Sequence, residues 1–275
     1  MAGLLSVGLA GCGGASTTTA NDATPDAGVS ALSAMSPAAV MARAGETDET
    51  PRSARFTMLS TSPGAPAVKA TGAYQRGTQN AMSMTMDMSA AGAAAGVPFP
   101  AQMEAMFIGS TMYFRLVGSG TPLDTSWTRV SAGDMASGGG LNLGWMLDLI
   151  SRADPQSGVD LLLEARDLAD LGDEVIDGVP TRHYRGTIDA SALIRSLATD
   201  AESRRLLRQT FREMEVTGAV QDMWVDEDFN IRRSVNRQTS NIGEFTTTMT
   251  FAGFDEHVTI TAPDPAEVVD LADAM

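Results

Sequence analysis

From Arg55 onward, apolar and polar residues alternate with a period of two, the spacing of a strand with one covered and one wet face. In Arg55-Phe56-Thr57-Met58-Leu59-Ser60, Phe56 and Met58 share a face. After a turn at Ser62-Pro63-Gly64-Ala65-Pro66, a strand from Val68 to Gln75 puts Val68, Ala70, Gly72 and Tyr74 together. The run Ala81-Met82-Ser83-Met84-Thr85-Met86-Asp87-Met88-Ser89 has Met at every even position and small or polar residues between them. No helix sorts residues that way. Met106 to Ile108 and Met112 to Leu116 flank Gly109-Ser110, a candidate type II′ turn that makes them a hairpin. Trp127 to Val130 is a short strand.

Helical spacing follows. Leu143, Met146, Leu147 and Ile150 recur three and four apart, which predicts an amphipathic helix over Leu143 to Ala153. Asp154-Pro155 starts a second helix that carries Leu161 to Leu163 and extends toward Leu168. In Asp173 to Asp189, Asp177-Gly178 is a strong hairpin signal, because a type I′ turn needs φ > 0 at both central residues. Pro180 has no ladder donor, so it belongs at an edge or just outside the pairing. Asp189 reads as the N-cap of a helix over Ala190 to Arg212, broken at Thr199-Asp200, with Leu193, Ile194, Leu197, Leu206, Leu207 and Phe211 on its buried side. Strands over Val216 to Val225, Ile231 to Thr239 and Phe245 to Phe251 come next, the last with Phe245, Thr247, Met249 and Phe251 on one face. Val258 to Ile260 is a last extended piece, and a short acidic helix starts at Pro265.

Consecutive strands joined by short turns make one antiparallel sheet, and helices grouped together must cover one face of it. The class is α+β: a strongly curved antiparallel sheet, an open half-barrel, with the helices Leu143 to Leu168 and Ala190 to Arg212 on its concave face. The covered face collects Phe56, Met58, Met82, Met84, Met86, Met112, Phe114, Met249 and Phe251 from the strands and Leu147 and Ile150 from a helix. These are the candidate ligand-binding residues.

The N-terminus has another pattern. Met1 to Ala10 is apolar and uncharged, and Leu9-Ala10-Gly11-Cys12 resembles the lipobox of bacterial lipoproteins, which makes Cys12 the expected site of lipid attachment and mature N-terminus. No Lys or Arg precedes the apolar run, as a signal segment requires, so this sequence is expected to start inside a longer gene product. Gly13 to about Ser36 is rich in Gly, Ala, Ser, Thr, Asp and Pro without apolar periodicity, as in a tether. Pro37 opens a short helix, Ala38 to Ala44. The expected organisation is a lipoprotein signal segment over 1–12, a flexible tether with a short helix over 13–52, and one folded domain over 53–275.

Composition narrows the function. The formal charge of −15 excludes nucleic acid as a partner and argues against loose adsorption to anionic headgroups. One cysteine allows no internal disulfide. Two histidines, His183 and His257, make no ordinary zinc site, and Asp226-Glu227-Asp228 lacks the spacing of an EF-hand and reads as an acidic turn. His183 reads as a strand histidine, and Asp222 and Asp226 flank Trp224 without pairing as acid and base. There is no Gly-x-Ser-x-Gly elbow, P-loop or His-Glu-x-x-His, so no catalytic residue, metal or cofactor is expected, and the chain is not expected to be an enzyme.

The lipobox, the Met/Thr strand, Gly172-Asp173-Glu174-Val175-Ile176-Asp177-Gly178-Val179-Pro180-Thr181-Arg182-His183-Tyr184-Arg185-Gly186-Thr187-Ile188-Asp189, and Met223-Trp224-Val225-Asp226-Glu227-Asp228 ahead of Arg232-Arg233 together resemble the actinobacterial lipoproteins of the LppX/LprG type. Their fold is similar to the LolA and LolB carriers, and the resemblance covers roughly Ala54 to Thr261. It implies a monomeric lipoprotein, acyl-anchored on the outer face of the cytoplasmic membrane, that binds or transfers an acyl-chain lipid or lipoglycan in a cavity between sheet and helices. The alternative is an envelope interaction or sensory lipoprotein whose half-barrel is filled by its own side chains.

Overall fold

The computed structural model describes residues 31–46, 51–90, 101–118, 120, 124, 126–131, 155–198 and 201–271. Cys12 and the helix expected over Leu143 to Ala153, with Leu147 and Ile150, lie outside them.

A single sheet runs β1 (Ser53–Ser62), β2 (Ala65–Gln75), β3 (Ala81–Asp87), β4 (Gln102–Ile108), β5 (Thr111–Val117), β6 (Trp127–Ser131), β7 (Ala169–Ile176), β8 (Val179–Asp189), β9 (Gly218–Val225), β10 (Ile231–Ser240), β11 (Gly243–Ala252) and β12 (Val268–Asp270). Their order in space is β12-β6-β5-β4-β3-β2-β1-β11-β10-β9-β8-β7. The ends of this order do not pair, so the sheet is curved and unclosed, an α+β half-barrel.

The turns form for the reasons their residues suggest. Asp177 and Gly178 have φ of 51° and 83°, as a type I′ turn needs, and Gly109 has φ of 60°. Pro180 stands opposite Val175 of β7, while the pairing of β8 with β9 begins only at Arg182, so the missing donor falls beyond that ladder. The Asp189 carboxylate accepts from the Ala192 amide at 2.8 Å and caps helix α3 (Ala190–Leu197). Ser36 caps α1 (Pro37–Ala44) in the same way.

Several expectations are corrected. The short helix α1 is no part of a tether. Val40, Met41 and Ala44 are buried in the main core cluster together with Leu32, because the open side of the sheet leaves apolar surface that a helix must cover. The folded part therefore begins before Ser53. Helix α2 (Pro155–Leu163) stops short of Leu168, and the chain enters β7 at Ala169. Helix α4 (Ala201–Glu213) has no buried residue: Leu206 is exposed, and Leu207 and Phe211 are half-buried. It does not cover the sheet. Val258 to Ile260 belongs to the tail and joins no strand ladder. The chain beyond β11 follows the rim instead, with the Asp255 amide donating to Ser53 O and the Ile260 amide to Gln75 Oε1. After a single 3₁₀ turn at Pro265–Glu267, the β-branched pair Val268-Val269 joins β6 as a parallel strand, where a helix was expected. An open sheet edge satisfies those backbone groups, and Arg129 holds Asp270 through two hydrogen bonds of 2.7 and 2.9 Å.

Candidate functional site

The concave face is built in rows that the strand register lines up. One row runs Met249, Met58, Ala70, Met86, Met103 and Leu116 across β11, β1, β2, β3, β4 and β5. The next runs Phe251, Phe56, Gly72, Met84, Ala105, Phe114 and Thr128. A third carries Ala54, Tyr74, Met82, Phe107, Met112 and Val130. In the second row the small residues Gly72, Ala105 and Thr128 are interleaved with Phe56, Met84 and Phe114, while the first has one small residue, Ala70. At Gly72 the small residue is a steric requirement, since an added Cβ would stand 2.4 Å from Phe56 Cζ and 2.3 Å from the Ser83 carbonyl oxygen.

The nine strand residues named from the sequence thus share the concave side, between 1% and 8% exposed. They pack with Leu32, Val40 and Met41 in a cluster that holds nine of the chain's 17 methionines. Helix α2 closes over β8 and β9. A Cβ on Gly158 would meet Met223 Cε at 2.3 Å, and one on Gly186 would meet Ala165 Cβ at 2.6 Å, so two glycines permit the close approach of helix to sheet. Helix α3 adds Ala192 and Leu193 against Ile188 and Ala219.

Toward the opposite rim the concave side changes character. The next register row is Gln221, Asn236, Thr247, Ser60 and Val68, half-buried except for Gln221. The Gln221 amide donates to Ser234 Oγ at 2.7 Å and its oxygen accepts from Asn236 at 3.0 Å, a polar strip that the alternation argument did not foresee. Two hydroxyls facing the concave side, Thr128 Oγ1 and Tyr184 Oη, are buried with no hydrogen-bond partner. Burial first, and then the Asp170 charge, push the Tyr184 hydroxyl up to about 12.

The outer face of β7 to β10 carries a second cluster, also missed in the sequence. His183, read as an ordinary strand residue, is buried. Its Nδ1 lies 2.9 Å from Glu174 Oε1 and its Nε2 lies 2.6 Å from Asp222 Oδ1. Its ring stacks on Trp224 with centroids 4.1 Å apart, and Trp224 Nε1 donates to Glu174 Oε2 at 2.8 Å. Arg185 and Arg237 both donate to Asp222. Burial alone would raise the Asp222 carboxyl, but hydrogen bonds from Arg185, His183 and Arg237 outweigh it and hold the group below the usual carboxylate range. These residues are scattered over four strands, so only the register joins them. The saturated contacts make this a structural network.

A groove of about 590 Å³ lies along β1 to β4 and β6. Its walls come from outward-facing Arg55, Thr57, Thr71, Ser83, Thr85 and Glu104 and also from Phe56, Gly72, Met84 and Ala105 of the second row. Among the described residues no group of three or more His, Cys, Asp or Glu is arranged to hold a metal, and no helix is long and apolar enough to cross a membrane.

No protein-family model matches the chain. It is 28% identical over 167 residues to an uncharacterized 31.2 kDa protein of Streptomyces griseus from the rplA-rplJ intergenic region. That match covers 59% of this chain and 55% of the relative, so the chain spans about half the length of the curated relative it matches. Among solved structures it is similar to the lipoprotein LppX of Mycobacterium tuberculosis, at 16% identity over 82% of this chain and 98% of that one, with a TM-score of 0.49. LprF from Mycobacterium bovis is also 16% identical, over 82% and 96% of the two chains, with a TM-score of 0.46. A LolA superfamily protein from Nitrosomonas europaea covers 82% of this chain and 96% of its own at 9% identity and a TM-score of 0.29.

Proposed function

We propose that the chain is an extracytoplasmic lipoprotein, anchored through Cys12, that binds an acyl-chain lipid on the concave face of its half-barrel. The observation that carries this reading is the methionine-filled interior. Nine Met side chains form one cluster with five buried aromatic residues among them, and unbranched thioether chains rearrange more readily than Leu, Ile or Phe. Such an interior can part to admit a chain, which gains about 0.8 kcal/mol for each CH₂ it buries. The half-buried row of Ser60, Val68, Asn236 and Thr247 offers the entrance, with polar groups for a headgroup. The unpartnered hydroxyls of Thr128 and Tyr184 would meet an ester or hydroxyl of the ligand.

The test is mass spectrometry of lipids that co-purify with the chain from its native host, for the unaltered protein and for Val68→Trp, which narrows the entrance where half-buried Val68 meets the margin of the core. Lipid present in the first and lost in the second, at equal stability, supports binding. No lipid in either removes the reading. The tight burial of Phe56, Met84 and Phe251 favours a second reading, an envelope interaction protein with a permanently filled core, and that reading would then stand. For the anchor, Cys12→Ala should move the protein from the membrane fraction to the soluble one, because stable attachment needs more than one acyl chain. Unchanged fractionation would refute lipid attachment at Cys12.

A further inference from the structure

The chain is strongly acidic, yet its basic residues are not evenly spread. Helix α4 is Ala-Glu-Ser-Arg-Arg-Leu-Leu-Arg-Gln-Thr-Phe-Arg-Glu, with four arginines against two glutamates in 13 residues. Arg204, Arg208 and Arg212 lie four apart and Arg205 falls beside them, so all four share one face, and all four are exposed. On another side, Ser203, Leu207 and Phe211 are half-buried toward α3. The C-terminal end of α4 is pinned to the turn between β10 and β11: Asn241 N donates to Met214 O at 2.8 Å and Asn241 Nδ2 to Glu213 O at 2.9 Å. The next residue, Ile242, is 60% exposed, and Leu206 on α4 is 50% exposed. One rim of the half-barrel thus combines a ridge of guanidinium groups with two large apolar side chains in water.

We propose that this rim, α4 with Ile242, is a docking surface for an anionic lipid bilayer. The charge is complementary, and the apolar pair fits the headgroup boundary, into which side chains of this kind insert. The acidity of the remaining chain does not oppose this, because charges more than about 10 Å from the bilayer are screened at about 0.1 M salt. Whole-chain charge, which argues against adsorption, averages away a local cation ridge. This rim is also where the concave face is half-buried, so docking sets the entrance against the membrane. That consequence rests on the lipid-binding reading, and the docking itself does not.

The experiment is co-sedimentation of the full chain, carrying Cys12→Ala to exclude an anchor, with vesicles of phosphatidylglycerol and phosphatidylcholine in equal parts or of phosphatidylcholine alone. The expected result is binding to the anionic vesicles only, released as salt rises to about 0.5 M, where screening is near-complete beyond a few ångströms. Arg205→Gln, Arg208→Gln and Arg212→Gln together should weaken it roughly hundredfold, at about fivefold for each basic residue near an anionic surface. Ile242→Asp should weaken it further. Arg43→Gln, Arg52→Gln and Arg55→Gln, with the same change in net charge on other exposed parts of the molecule, should leave binding within about threefold, the loss expected from long-range attraction alone. Circular dichroism establishes that each variant keeps the parent's fold. Absent binding, equal binding to both vesicle types, or equal loss from the two triple variants overturns the proposal. Retained lipid in the co-purification test alongside absent vesicle binding would separate failure of the docking from failure of the lipid reading.

Discussion

Gly72→Ala is the sharpest test of the row structure, because the change is one methyl group set against the buried ring of Phe56. The new Cβ would stand 2.4 Å from Phe56 Cζ and 2.3 Å from the backbone oxygen of Ser83. Both contacts lie far inside van der Waals range. Phe56 is 2% exposed and tilts against Phe251 with centroids 6.4 Å apart. The Ser83 oxygen belongs to the β3 backbone and moves only with the ladder. Overpacking of this kind costs about 1–3 kcal/mol. The stiffer unfolded chain of Ala returns about 0.4–1 kcal/mol. A shifted ladder bond costs about 1 kcal/mol more, so the net loss is about 1–3 kcal/mol. With a urea slope of about 2 kcal/mol/M, the unfolding midpoint falls by about 0.5–1.5 M. Phe56→Leu in the same chain should recover part of the loss, a coupling that a double-mutant cycle measures. A midpoint for Gly72→Ala equal to the parent's would refute the placing of Phe56 over Gly72.

The remaining predictions concern other parts of the fold. Met41→Ala should destabilise by about 2–5 kcal/mol if α1 is part of the core, and by almost nothing if it belongs to a tether, as thermal unfolding would tell. Gly178→Val should cost about 1–3 kcal/mol, since Gly178 holds φ of 83° and a β-branched residue is strained there; an unchanged urea midpoint would remove the turn assignment. Asp222→Asn should cost about 1–3 kcal/mol by loosening Arg185 and Arg237, whose charges partly regain water, and by weakening the contact with His183. Because the folded-state Asp222 carboxyl is held below its unfolded value, its contribution is present at neutral pH and lost as pH falls through the acid range. The stability of the Asp222→Asn variant should therefore decline less steeply below about pH 5 than that of the parent, and parallel acid limbs would contradict the network.

Local physics made much of this fold legible. Alternation assigned Phe56, Met84, Met112 and Met249 to one side because a strand's side chains point to opposite faces by geometry alone. Asp177-Gly178 and Gly109 marked their turns because few residues hold positive φ, and Asp189 marked a helix start because its carboxylate reaches a free amide. Periodicity was less dependable for helices. Helix α4 has an apolar stripe as convincing as that of α3, yet only α3 lies against the sheet, since a stripe states that a face can be covered and not what covers it. The same limit hid α1, whose short Ala/Met sequence carries no sign of the core it enters.

The sequence by itself determined which strand residues face inward, where the hairpins at Asp177-Gly178 and Gly109 reverse, and the class of fold that follows. Tertiary structure alone decided the row that sets Phe56 over Gly72, the parallel docking of Val268 to Asp270 on β6, the joining of His183 to Asp222, and the gathering of Arg204 to Arg212 beside Ile242. Each of these needs partners tens to hundreds of positions apart, and their meeting depends on sheet register and open edges, which no local propensity encodes.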